Sequence, residues 1–117
     1  MRLMAGWPLP VVRRLGAGLG ALLWLLARRR RHITLVNVRL CFPERTEPEH
    51  RRLVWRHFVA FGQSVLDRAW LWHAPEAVLR ERLHWKGAVH ELADPGPLVM
   101  FAPHFVGLDA GGMAVAM

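Results

Sequence analysis

The sequence predicts an α/β fold, and three observations carry the prediction. Leu98–Ala102 is an apolar run of strand length closed by Pro103. Leu83-His84-Trp85-Lys86-Gly87 reads as a short strand ending in a Gly turn, and Ala88–Ala93 between the two has helical character. Upstream lie an apolar N-terminal segment and a helical hairpin. Strand, short helix, strand is the first βαβ unit of a parallel sheet, so the expected order is anchor helix, helical hairpin, then βαβ.

Length and charge bound what such a chain can do. At 117 residues it holds at most one small domain. The net charge of +7 is not evenly spread: residues 1–45 carry nine arginines against Glu44 alone, while the remainder is near neutral. Basicity confined to one region beside an apolar segment reads as a contact with anionic lipid. A nucleic-acid interface is the weaker reading, because the arginines abut an apolar run and no nucleic-acid-binding signature appears. Cys41 is the single cysteine, so an internal disulfide is excluded; its expected role is a small buried hydrophobe.

The elements follow in chain order. Leu15–Ala27 is an uncharged apolar run flanked by Arg13, Arg14 and by Arg28, Arg29, Arg30, Arg31. As a helix it is short for a span unless Leu9, Val11, Val12 and Trp7 extend it and Arg13 and Arg14 snorkel; an interfacial anchor is the alternative. Trp7 and Trp24 suit headgroup depth, and the Arg28–Arg31 cluster falls on the cytoplasmic side by the positive-inside rule. A cleaved signal peptide fits the run's length, but arginines stand where a small-residue cleavage site belongs. An ordinary buried helix is the remaining reading. Residues 1–32 are thus expected as membrane anchor and basic cluster, distinct from residues 33–117.

Thr34–Phe42 is rich in β-branched residues with no clear period, and Pro43 closes it. Thr46 then reads as an N-cap, with Pro48 in the first turn and Glu49 as the capping-box acid. Val54, Phe58, Phe61, Val65, Ala69 and Trp72 recur at helical spacing, which predicts an amphipathic helix from Glu47 to His73. Pro75 opens a second helix running to Leu83, with Glu76 in its first turn.

His32, His50, His57, His73, His84 and His90 have no metal-ligand spacing and read as structural or solvent-exposed. His104 differs by position. It follows a predicted strand, where clefts of open α/β sheets form. A histidine there, with Asp109 five residues on, can be a general base and its orienting partner. On a continuous helix the two would be about 140° apart, so they meet only if Phe105–Leu108 forms a loop or turn, which Gly107 favours. Asp109 can equally be the N-cap of a helix beginning near Ala110.

These residues resemble the bacterial lipid A biosynthesis acyltransferases, the lauroyl and myristoyl transferases of the wider lysophospholipid-acyltransferase-like superfamily. The likeness rests on the anchor with its basic cluster, on Asn37 with Leu40-Cys41-Phe42-Pro43 before the long helix, and on Pro103-His104-Phe105-Val106-Gly107-Leu108-Asp109-Ala110-Gly111-Gly112. It implies an acyl carrier protein thioester as donor, a glycolipid hydroxyl as acceptor, His104 as base, Asp109 as its orienting partner and no metal or organic cofactor. It also implies a place at the cytosolic face of the inner membrane. Later Arg and Glu blocks of the family do not occur before Met117, so the expectation is an incomplete acyltransferase sheet, inactive by itself. An acyltransferase acting on a lysophospholipid or glycerol phosphate, and a non-catalytic membrane-anchored protein binding anionic lipid, are the alternatives.

Overall fold

The computed structural model describes residues 2–84, 86–87, 96–97, 99, 101 and 104–116. After a 3-10 turn at Arg2–Met4 come five α-helices: α1 (Leu9–Leu26), α2 (Arg28–Cys41), α3 (Glu47–His73), α4 (Glu76–Arg82) and α5 (Leu108–Ala116). Among the described residues there is no strand, so the predicted α/β class and its βαβ unit are not what forms. A strand exists only when a neighbour satisfies its ladder. Leu83 does adopt an extended backbone, but Val99 and Phe101 of the second expected strand are 94% and 89% exposed and in no strand. The helical stretch expected at Ala88–Ala93 lies outside the described residues, as do Leu98, Met100, Ala102 and Pro103 of that strand.

By internal contacts the chain divides into Gly6–Asp67 and a second unit of Met1–Ala5 with Arg68–Met117. In the first unit, α1 follows Pro8 at its N-cap, with Pro10 inside its first turn, where a missing N–H costs nothing. Its 18 residues span about 27 Å, close to the roughly 30 Å of a bilayer's hydrocarbon, and it is apolar enough to cross one. Its buried residues are Val12, Gly16 and Gly20, one every fourth position. That face meets α3 backbone to backbone: a Cβ at Gly16 would lie 2.6 Å from Gln63 Cα, and one at Gly20 would collide with Phe58 and Val59. Gly62 answers from α3, where a Cβ would run into Gly16 and Gly20. Only glycine permits this approach. The Gln63 side-chain amide also donates to Arg13 O at 3.2 Å.

Elsewhere on α1 the apolar side chains of Val11, Leu15, Leu22, Leu25 and Leu26 are exposed. The chain breaks at Ala27 and resumes at once as α2, a helix where β-branched residues had left the period open. β-branched side chains cost a helix only tenths of a kcal/mol each, and Thr34 spends its hydroxyl on Arg30 O one turn back at 2.9 Å. Cys41, the last residue of α2, is exposed rather than buried. It stands beside an apolar face of Ile33, Val36 and Leu40 that is exposed as well.

Helix α3 has the predicted ends. Glu49 reaches back to the Thr46 N–H and hydroxyl, each at 2.8 Å, which is the acid half of the capping box. Both donors stabilise the carboxylate and lower the Glu49 pKa. His50 is buried, and its Nε2 lies 2.8 Å from Phe42 O, tying the loop after α2 to the start of α3. The buried face of α3 in this unit is Val54, Phe58 and Gly62. Phe61, expected inward, is 45% exposed because the close approach of α1 selects the stripe one residue away.

The second unit buries Ala5, Ala69, Trp70, Leu71 and Leu79, while Trp72, also expected inward, is exposed. Helix α4 starts after Pro75 as predicted, with Glu76 and Arg80 paired along it. The Arg82 guanidinium stacks over the Trp70 ring at 5.3 Å.

Candidate functional site

The His-x4-Asp segment is a turn running into a helix. His104 and Phe105 have no regular structure and are exposed. Val106 and Gly107 form the turn, closed by Leu108 N–H donating to Phe105 O at 3.2 Å. Gly107 has φ +97°, a conformation that L side chains rarely adopt. Its carbonyl accepts from Ala110 and Gly111, so α5 starts two residues earlier than the N-cap reading of Asp109 required. Asp109 instead sits inside the first turn, where its charge complements the positive end of the helix.

Asp109 is held from α3. Arg68 Nε donates to Asp109 Oδ2 at 2.6 Å, and the guanidinium lies 5.6 Å over the Trp72 ring one turn on. Both side chains are partly exposed. Among the described residues, His104 and Asp109 share no hydrogen bond. Arg68 was not singled out from sequence. It lies 41 residues from Asp109, and no local pattern links the two; its one signal is a charge set against the apolar run Ala69–Trp72.

The residues assigned to the membrane lie on or beside α1. Trp7 is exposed at its N-terminal approach. Arg13 pairs with Asp67 at 3.5 Å, and Arg14 is exposed. Trp24 packs edge-on against Trp55, with ring centroids 5.4 Å apart. Arg31 lies 4.5 Å over the Trp24 ring and donates to Trp24 O at 2.8 Å. Arg28, Arg29 and Arg30 are exposed in the first turn of α2, where there is no acid.

Two clefts flank this junction. One, of about 370 Å³, is lined by Trp24, Arg28, Arg31, His32, Leu35, Arg51 and Val54. The other, of about 440 Å³, is more apolar, with Leu23, Phe58 and Phe61 beside Arg30 and His57. Glu47 sits near the first cleft through Arg51, to which it is bonded at 3.0 Å. Arg39 grips the same carboxylate with two bonds, at 2.7 and 3.0 Å. Together the two arginines hold the Glu47 pKa down to about 2, and Arg39 is raised in return. No group of three or more potential metal ligands occurs among the described residues.

The chain thus combines a helix apolar enough to cross a membrane, an arginine collar after it, and a histidine and a carboxylate on a helix-opening turn. The sequence comparisons give its family. The model of the bacterial lipid A biosynthesis acyltransferases matches residues 1–117, and the chain belongs to that family. It is 31% identical over 113 residues to the lipid A biosynthesis lauroyltransferase of Escherichia coli K12, covering 94% of this chain and 37% of that protein. It is 30% identical over 110 residues to the myristoyltransferase of the same organism, covering 92% and 33%, and 25% identical over 114 residues to the palmitoleoyltransferase, covering 94% and 37%. The chain therefore spans about a third of the length of these relatives. No solved structure matches it.

Proposed function

We propose that the protein transfers a fatty acyl chain from an acyl carrier protein thioester to a hydroxyl of a lipid A precursor, at the cytosolic face of the inner membrane. The observation that carries this reading is the family match across a segment containing both the apolar helix and His104-x4-Asp109. His104 is exposed and can meet an incoming hydroxyl. Its imidazole takes the hydroxyl proton as the oxygen attacks the thioester carbonyl. The C–S bond then breaks, and the imidazolium gives the proton to the departing thiolate, releasing the carrier as a thiol. Asp109 stabilises the imidazolium in this scheme. A carboxylate accepts through both oxygens, so the Arg68 bond to Oδ2 leaves Oδ1 for the ring. Arg68 is a positioning residue that fixes the carboxylate. No covalent acyl-enzyme is needed, in keeping with the lack of an activated Ser or Cys in the turn. The exposed leucines of α1 support membrane anchorage.

The test is acyl transfer by the protein at its full coded length, reconstituted with acyl carrier protein thioester and lipid A precursor. His104→Ala is expected to lower turnover by at least about 100-fold, the usual worth of a general base, with vesicle pelleting unchanged. Near wild-type turnover in that variant refutes the assignment. Transfer to a lysophospholipid in preference to the glycolipid refutes the acceptor.

A further inference from the structure

The arginines after α1 are more than a diffuse charge. Four of them, Arg28–Arg31, fill the first turn of α2, and that turn holds no acid. A helix N-terminus already carries about half a positive charge and favours anions, so four cations there repel both the dipole and one another. Arg31 is immobilised on the Trp24 ring and by its bond to Trp24 O. Arg51 arrives from α3, and its acid Glu47 is shared with Arg39. Arg28 and His32 have no side-chain hydrogen bond or ion pair among the described residues. These groups do not simply point outward. Arg28, Arg31, His32 and Arg51 line one cleft of about 370 Å³ with Trp24 as an aromatic wall, large enough for a phosphorylated headgroup.

We infer that this cleft, at the junction of α1 and α2, binds the phosphate group of an anionic lipid headgroup. The inference rests on α1 as the membrane anchor. With α1 in the bilayer, its end at Leu26 puts Ala27 and the cleft at headgroup depth, where Trp24 is also favoured. Guanidinium forks suit phosphate oxygens bidentately, and the unpaired N–H groups of the first turn of α2 add to the attraction. Arg29 and Arg30 share the helix turn but do not line the cleft, which separates a built site from a general surface potential.

That difference sets the experiment. The full-length protein in neutral detergent is titrated calorimetrically with short-chain phosphatidic acid, with phosphatidylcholine, with inorganic phosphate and with the apo form of an acidic acyl carrier protein. Arg28→Gln/Arg51→Gln is expected to weaken phosphatidic acid binding at least tenfold. Arg29→Gln/Arg30→Gln removes the same charge and should change it less than twofold. Circular dichroism confirms that both variants keep their helices; all four sites are exposed. Equal losses in the two double variants, or none in the first, overturn the site. Inorganic phosphate binding as tightly as phosphatidic acid overturns the lipid assignment. So does carrier protein binding that is lost in Arg28→Gln/Arg51→Gln while lipid binding is not. Pelleting with pure phosphatidylcholine vesicles reports the anchor separately, so loss of anchorage and loss of the headgroup site are distinguishable.

Discussion

Replacing Gly16 with alanine should separate α1 from α3, whereas the same change two residues on should not. A Cβ at Gly16 would lie 2.6 Å from Gln63 Cα and 3.0 Å from both Gln63 N and Gly62 O. Carbon atoms in contact sit about 3.5–4.0 Å apart, so the helix backbones must part by about 1 Å. Forcing a methyl into such a contact costs about 1–3 kcal/mol, against a helix-propensity gain of about 0.5–1 kcal/mol for Gly→Ala. The net is a destabilisation of about 1–2 kcal/mol. At Gly18 nothing lies within 4 Å of the added methyl, so only the propensity gain of about 0.5–1 kcal/mol operates. The two variants should thus shift in opposite directions, about 2 kcal/mol apart. For a unit of this size that is a gap of roughly 10 °C in midpoint. Thermal unfolding of the protein in detergent micelles, followed by far-UV circular dichroism, reads it. If Gly16→Ala melts with or above Gly18→Ala, the close approach of α1 and α3 is not what holds them together.

Three further outcomes are expected. Arg68→Gln should change global stability by less than about 1 kcal/mol, because the Arg68–Asp109 pair is partly exposed, yet lower acyl transfer. A loss in melting well beyond that, or unchanged turnover, contradicts its positioning role. Glu47, with its pKa depressed to about 2 in the fold, contributes stability that is complete above its unfolded value near 4.5 and is lost as pH falls through about 2. In Arg39→Gln an NMR titration should find the Glu47 carboxyl moved upward toward its ordinary value, and an unmoved titration would mean that Arg39 does not hold it. Deleting residues 1–31 should release the protein from lipid vesicles, and unchanged pelleting would remove α1 from the anchoring role.

What could be read without coordinates were the features written in adjacent residues. The ends of α3 follow from Thr46, Pro48 and Glu49 at one side and Pro75 beyond the other, because caps and prolines act within a turn of where they stand. The apolar α1, its arginine flanks and the His104–Asp109 turn with Gly107 are equally local. Tertiary structure decided what depends on partners distant in sequence. Thr34–Phe42 has no intrinsic period strong enough to choose, and it became helix as far as Cys41. Leu83–Gly87 and Leu98–Ala102 have the composition of strands, but pairing makes a strand, and the described residues show none. The inward stripe of α3 moved from Phe61 to Gly62 because Gly16 and Gly20 come to lie against it. Asp109 found Arg68 rather than a local partner, since a charge seeks the nearest opposite charge in space, and spatial neighbours 41 residues apart leave no periodic trace along the chain.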